Sequence, residues 1–135
     1  MQRFPKNTAI ILLFTDRDFC TSTGASSSYT ARSCFAANKG LVMVTFYNYF
    51  VKYGAEASVI NVAEHIYHIR NLIGVDHIGV GGDFDGINKT PRGLEDVSRY
   101  PELFAELLRS GKWTVLDLKK VAGLNLLRIL RQVCK

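Results

Sequence analysis

Short apolar runs along the chain predict three strands. Residues 8–14 and Leu41–Tyr47 are continuous β-prone runs, and the second is typical of a strand covered on both faces. His77–Gly82 is a shorter run that leads into a glycine-rich turn. Because parallel strands in α/β proteins are covered on both faces by helices, this pattern favours a parallel-type sheet.

Between and after these runs the apolar period changes from strand-like to helical. Val59–Ile73 places five apolar side chains within about 120° of one another on a helix, and Gly74 follows as a C-terminal cap. The five are Val59, Val62, Ile66, Ile69 and Ile73. Pro101–Arg109 predicts a second helix with proline in its first turn. Thr114 and Asp117 resemble a capping box, and Gly123 is expected to divide the last helical stretch. The order of elements predicts an α/β fold, with roughly half the ~250 residues of a complete (β/α)₈ barrel.

Composition divides the chain into two parts. Its 135 residues are 47% hydrophobic and 21% charged, which is typical of a folded globular protein. Residues 15–40, however, are rich in small polar types and predict loop or disorder. We therefore expect a divergent segment over 1–40 with one short strand, followed by an α/β unit over 41–135. The longest apolar run, Ala9–Phe14, is too short to cross a bilayer, and no signal peptide or hydrophobic tail is visible.

The net charge of +5 is concentrated near the carboxyl terminus, where Arg109–Lys135 carries seven basic residues against Asp117. Such a segment can contact phosphates or acidic partners, although a solvated helix face is the commoner explanation. No nucleic-acid motif interleaves these charges, so no nucleic-acid partner is expected. The three cysteines, Cys20, Cys34 and Cys134, match no metal framework and leave both compartment and disulfide pairing open.

The main candidate site is the segment Gly81–Gly86, which reads Gly-Gly-Asp-Phe-Asp-Gly. Asp83 follows the predicted strand directly, and catalytic side chains of parallel α/β folds project from that end of a strand. The alternative is an Asp/Gly turn whose carboxylates bind loop amides. A calcium-binding EF-hand loop is excluded because Asn88 and Leu94 occupy positions that require glycine and glutamate.

The histidines give weaker signals. His65 and His68 are three residues apart on the predicted helix, but two ligands do not complete a zinc site, so a structural or surface role is favoured. His77 begins a strand at the end opposite Asp83, which argues against a direct chemical role. No serine nucleophile elbow is present.

Five blocks in order nevertheless resemble the membrane (renal-type) dipeptidase family of zinc peptidases, from about Lys39 to Gln132. They comprise the strand, helix and glycine-rich segments already described and two further blocks: Leu41–Asn48, Val62–Ile69, Val75–Gly86, Gly93–Leu103 and Gly123–Arg128. The resemblance implies the C-terminal portion of a (β/α)₈ TIM-barrel metallo-hydrolase. It also implies dipeptide substrates, homodimers and an extracellular or membrane-anchored location, including a GPI anchor.

In that family a hydroxide held by two zinc ions attacks the peptide carbonyl. Asp83 matches the aspartate that contacts the amino end of the substrate and is proposed to shuttle a proton. His65 and His68 match positions in a structural helix. The resemblance thus makes Asp83 both a catalytic and a substrate-binding candidate, and it transfers no metal ligand to this chain.

The sequence departs from the family pattern before Gly40. No His-x-Asp pair occurs, no histidine stands near Phe14 and Thr15, and Arg32 lacks the family's Arg-Asn context. We therefore predict that this chain binds no catalytic zinc and has no peptidase activity alone. The first hypothesis is a metal-dependent dipeptidase represented by a fragment; the alternative is a non-catalytic remnant or splice form that acts as an interaction partner.

Overall fold

The computed structural model of the chain describes residues 10–13 and 39–134. Its strands are β1 (Ile10–Leu13), β2 (Leu41–Val44) and β3 (Ile78–Val80). Its α-helices are α1 (Asn48–Val51), α2 (Val59–Ile73), α3 (Tyr100–Arg109), α4 (Val115–Lys119) and α5 (Asn125–Val133). Two 3₁₀ turns (Val75–His77 and Val97–Arg99) and a π-helical turn (Lys120–Leu124) connect them.

The strands form one sheet in the order β1-β2-β3. β2 and β3 are parallel, with Val42 opposite Ile78 and Val44 opposite Val80, as the α/β prediction requires. β1 instead pairs antiparallel with β2, with Ile10 opposite Val44. An apolar run does not encode its own direction, because parallel and antiparallel ladders accept the same side chains and differ in hydrogen-bond pattern. The sheet is thus a small part of an α/β architecture.

Helix α2 covers one face of the sheet and contributes much of the core. Val62, Ile66 and Ile69 are fully buried in the same cluster as Val42 and Val44 of β2. The helix begins with a reciprocal capping box between Ser58 and Asn61, which satisfies free amide groups of its first turn. It ends before Gly74, whose φ of 88° lies in the region that favours glycine. The predicted bounds of this helix are confirmed.

Helix α3 packs against α2 and buries Leu103 and Leu107. It begins one residue before Pro101 and ends at Arg109, so the proline lies in its first turn as predicted. The Thr114–Asp117 capping box is also confirmed at the start of α4. Gly123, with φ 178° and ψ −24°, leaves the helical conformation inside the π-helical turn, so the chain changes direction before α5.

Two predicted boundaries were wrong. β2 ends at Val44 rather than Tyr47, because the Gly81 amide donates the last ladder bond to the Val44 carbonyl (3.0 Å) before the chain turns into α1. His77 closes a 3₁₀ turn and β3 begins only at Ile78. The predicted loop or disordered stretch over 15–40 lies outside the described residues, apart from its last two positions. Within the described ranges, no helix has the length and apolar character needed to span a membrane.

Candidate active site

The candidate aspartate lies on a constrained turn at the carboxyl end of β3. Asp83 is exposed, and its φ of 57° places a non-glycine residue in the left-handed region. Its carbonyl accepts a hydrogen bond from the Gly86 amide at 2.9 Å, which closes the turn. Such a conformation costs energy and is kept only where neighbouring groups fix it. The structure therefore holds the backbone of Asp83 at a defined position on the rim of the sheet.

Glycines make this turn possible because side chains occupy the space beside them. A Cβ at Gly86 would lie 2.8 Å from the Asp83 Oδ1 atom, so the Asp83 carboxylate lies directly against this glycine. A Cβ at Gly82 would lie 2.4 Å from the Phe84 ring, which folds back over the backbone. Any larger residue at either position would displace the aspartate or the aromatic ring next to it.

An aromatic cluster supports the turn from the core side. The Phe46 ring lies 5.9 Å from that of Phe84 and 5.3 Å from that of Tyr100, and the Phe84 and Tyr100 rings are 6.3 Å apart. Tyr100 also accepts a hydrogen bond from the Gly82 amide, at 2.8 Å from its hydroxyl oxygen. The spacing of these three residues along the chain does not indicate that their rings meet.

The loop after β2 is tied to the loop after β3 through Asn48. This residue is fully buried, and its backbone amide donates to the Lys89 carbonyl at 3.0 Å. Its side chain accepts from the Ala57 amide at 2.8 Å and donates to the Ala55 carbonyl at 3.0 Å. The backbone bond links the loop after β2 to the loop after β3, and the side-chain bonds hold Asn48 against the segment that precedes α2. The carboxyl ends of β2 and β3 are therefore directly connected.

On the face of the sheet opposite α2, the Met43 side chain packs against two glycines of the β3 segment. Met43 lies opposite Gly79, and a Cβ at Gly79 would be only 2.4 Å from the Met43 sulfur. A Cβ at Gly81 would be 3.4 Å from the Met43 terminal methyl group. The methionine side chain thus occupies the space that these two glycines leave open on the side of the sheet away from the helices.

The histidines make structural contacts. His65 Nε2 lies 2.9 Å from the Val51 carbonyl, so it donates and links α2 to α1. Burial, with the neighbouring His65 as the second cause, lowers the pKa of His68. His77 Nδ1 donates to the Gly40 carbonyl at 2.8 Å, at the amino end of the sheet. Among residues 10–13 and 39–134, no three or more His, Cys, Asp or Glu side chains are grouped so that they could hold a metal ion.

Comparison with known proteins decides the family. The sequence model of the membrane dipeptidase family (peptidase family M19) matches residues 33–135. The chain belongs to this family. The resemblance found in the sequence is confirmed, and the match extends a few residues beyond it at both ends.

Curated relatives are dipeptidases. An uncharacterized dipeptidase of Schizosaccharomyces pombe is 50% identical over 92 residues, which cover 67% of this chain and 22% of the relative. The dipeptidase tcpJ of Claviceps purpurea is 42% identical over 97 residues, covering 71% of this chain and 23% of the relative. The chain thus spans less than a quarter of the length of these relatives.

Solved structures agree on the architecture. An amidohydrolase from Pseudomonas aeruginosa superimposes with a TM-score of 0.67 at 28% identity, over 77% of this chain and 39% of that protein. A metallopeptidase from Rhodobacter sphaeroides, liganded with a phosphinate mimic of the dipeptide L-Ala-D-Ala, gives 0.63 at 29% identity, over 72% and 28%. The fold is therefore part of a TIM-barrel-type metallo-hydrolase, as predicted.

Proposed function

We propose that this chain is the C-terminal part of a metal-dependent dipeptidase and supplies its Asp83 carboxylate to the substrate. The position of Asp83 supports this most directly: it is an exposed acid on a constrained turn at the carboxyl end of a parallel strand. In barrels of this type, substrates are bound at that end of the strands. Membership of a dipeptidase family supports dipeptides as the substrate class.

In this role the Asp83 carboxylate accepts hydrogen bonds from the ammonium group of a dipeptide. A charge-assisted contact of this kind fixes the amino end of the substrate and therefore the position of the peptide bond next to it. The same carboxylate takes up the proton that the attacking water loses as it bonds to the peptide carbonyl carbon. It returns this proton to the leaving nitrogen as the C–N bond breaks. The constrained backbone keeps this acid in place without help from the substrate.

The family's two zinc ions enter the proposal as the cofactor of the complete enzyme. The described residues do not fit such a centre, because they contain no cluster of three potential ligands and because His65 and His77 bind backbone carbonyls. No step of the reaction is therefore assigned to metal on these residues. We propose that the 135-residue chain alone does not hydrolyse dipeptides.

The purified chain tests that statement. With added Zn²⁺ and a panel of dipeptides, including L-Ala-D-Ala, we expect no release of free amino acid above the buffer rate. Hydrolysis that a chelator abolishes would overturn the proposal that the chain is inactive alone.

The role of Asp83 is tested in the product of the complete transcript that carries this segment. If that protein contains a His-x-Asp pair and hydrolyses dipeptides, Asp83→Asn should lower its kcat about a hundredfold or more, as loss of a proton-transfer group does. Asp85→Asn is the matched control, since it removes a second exposed carboxylate from the same loop. Equal activity of Asp83→Asn and the wild type would refute the assignment.

A second candidate function is binding to a subunit of its own family without catalysis. It is supported by the exposed leucines along the π-helical turn and α5, where Leu124, Leu127 and Leu130 are 46%, 44% and 46% exposed. Apolar side chains clustered on one helix face favour association. Light scattering should then give the mass of a dimer for the wild type and of a monomer for Leu127→Lys. For either function we propose an extracellular or membrane-associated location, which the family's name suggests.

A further inference from the structure

A second polar region lies at the amino ends of β2 and β3, opposite Asp83. It contains an open pocket of about 400 Å³, lined by polar residues and one leucine from distant parts of the chain: Lys39, Asp76, His77, Lys120, Leu124, Asn125 and Arg128. Three of these side chains are cations and one is a carboxylate. Two of the cations belong to the basic carboxyl-terminal segment noted in the sequence, and the fold brings them next to a lysine more than eighty residues away.

The walls of this pocket are fixed by hydrogen bonds to backbone carbonyls. Arg128 donates to the Lys39 carbonyl at 3.0 Å and to the Asp76 carbonyl at 2.8 Å. The Asn125 side-chain amide is buried and donates to the Val75 and Ile78 carbonyls, both at 2.8 Å. These bonds set the backbone on both sides of the pocket in advance, so a ligand would not have to order it.

Two lysines supply the charge. Lys120 Nζ lies 2.6 Å from Asp76 Oδ1, and the Lys120 side chain is 29% exposed while that of Asp76 is 61% exposed. An ammonium group has three donors, so this pair leaves two for another acceptor. The Lys39 backbone has a left-handed conformation (φ 53°), and its own carbonyl accepts the hydrogen bond from Arg128. Among the lining residues, three cations stand against one carboxylate, so the lining carries an excess of positive charge, part of which Asp117 offsets near Lys120.

His77 adds a second type of contact. Its Nδ1 atom must donate to the Gly40 carbonyl, because a carbonyl only accepts. In the neutral ring, Nε2 therefore carries a lone pair, which can accept a hydrogen bond from an O–H donor. Inorganic phosphate retains at least one P–OH group at neutral pH, whereas sulfate and carboxylates carry no proton there. Ammonium donors beside an imidazole acceptor thus match a protonated phosphate group in particular.

We propose that this pocket binds a phosphate group, as inorganic phosphate or as a singly protonated phosphomonoester, between Lys39, Lys120 and His77. The site is distinct from the edge that carries Asp83 and does not depend on peptidase activity. The two lysine ammonium groups would hold the phosphate. A bidentate contact from Arg128 is not expected, because both of its terminal nitrogens donate to backbone carbonyls.

Titration of the ¹⁵N-labelled chain with sodium phosphate at constant ionic strength tests the proposal. We expect saturable chemical-shift changes at the amides of Gly40, His77 and Asn125, and weaker binding of sulfate in a matched titration. Lys120→Gln should raise the Kd for phosphate about tenfold, as expected for loss of one charge-assisted hydrogen bond. Lys119→Gln, the neighbouring exposed lysine outside the pocket lining, should leave the Kd within about twofold.

Lys39→Gln is the second variant and should also weaken binding, and the amide spectrum of each variant reports its folding. Vesicles that contain phosphatidic acid, compared with vesicles of phosphatidylcholine alone, distinguish a lipid phosphate from a free one. Binding of free phosphate alone assigns the site to soluble ligands, and additional Lys120-dependent binding to phosphatidic acid extends it to headgroups. Absence of saturable shifts, equal affinity for sulfate, or an equal loss in Lys119→Gln would overturn the proposal.

Discussion

The two ends of the parallel pair β2–β3 are stabilised by different interactions. At the carboxyl end, the rings of Phe46, Phe84 and Tyr100 pack beneath the loop that carries Asp83. At the amino end, Asn125 and Arg128 bind backbone carbonyls across a basic pocket. At the carboxyl end an apolar ring cluster adds to the polar bonds of Asn48 and Tyr100, whereas at the opposite end polar bonds from α5 to backbone carbonyls accompany a group of cations.

The largest expected change in the free energy of unfolding is at the carboxyl end of the β2–β3 pair. Phe46 is fully buried at the centre of the ring cluster. Phe46→Ala should lower the free energy of unfolding by about 3–5 kcal/mol, because it removes apolar burial and leaves a cavity. Urea denaturation followed by circular dichroism measures this.

Phe50→Ala is the control for that change, since Phe50 is 47% exposed. It should cost much less, because most of its surface already contacts solvent. Similar losses for the two variants would show that ring packing does not distinguish this end of the sheet.

At the amino end, Asn125→Ala should lower the free energy of unfolding by about 2–3 kcal/mol. It removes two buried hydrogen bonds and leaves the Val75 and Ile78 carbonyls without their donor. Gln132→Ala, an exposed amide on the same helix, should change stability by less than about 0.5 kcal/mol. A loss for Asn125→Ala no greater than for Gln132→Ala would contradict the view that polar bonds hold this end.

A smaller loss of stability is expected at Tyr100, which belongs to the ring cluster and also accepts a hydrogen bond from the Gly82 amide. Tyr100→Phe keeps the ring but removes the acceptor of the Gly82 amide, and should cost about 1 kcal/mol. Hydrogen exchange of the Gly82 amide should become faster. Tyr53→Phe, at a side chain 79% exposed, is the control and should change neither quantity. Unchanged exchange at Gly82 in Tyr100→Phe would mean that ring packing alone holds the loop.

The smallest effect is a pH dependence from α4, next to the basic pocket. The Thr114 backbone amide is the main group that lowers the pKa of Asp117, and its hydroxyl, Arg70 and Lys120 act in the same direction. A carboxyl group whose pKa is lower in the folded state stabilises the protein above its unfolded pKa, and this contribution is lost as the pH falls through the folded pKa.

Asp117→Asn should therefore be less stable than the wild type at neutral pH, and the difference should shrink as the pH is lowered below the ordinary value of 3.8. Thermal unfolding between neutral pH and pH ~3 measures this. Asp85→Asn, at an exposed carboxylate of the opposite loop, is the control. A difference between wild type and Asp117→Asn that grows on acidification would have the wrong sign.

Much of this architecture could be predicted because the signals are local. The period of Val59–Ile73, the glycine after it and the Thr114–Asp117 capping box depend on neighbouring residues, and the structure confirms them. The strand direction of β1 could not be predicted, because an apolar run fits either ladder. The rings around Phe46 and the pocket around His77 were also missed, since their members are distant in sequence.

The sequence by itself determined the bounds of the long helix α2, the capping box of α4 and the family to which the chain belongs. Those features follow from side-chain period, backbone freedom and motif order, which are properties of contiguous residues. Only the tertiary structure decided which distant groups meet: Tyr100 with the Gly82 amide, and Arg128 with the Lys39 carbonyl. The physical reason is that such contacts depend on how packed elements cross, which no single segment encodes.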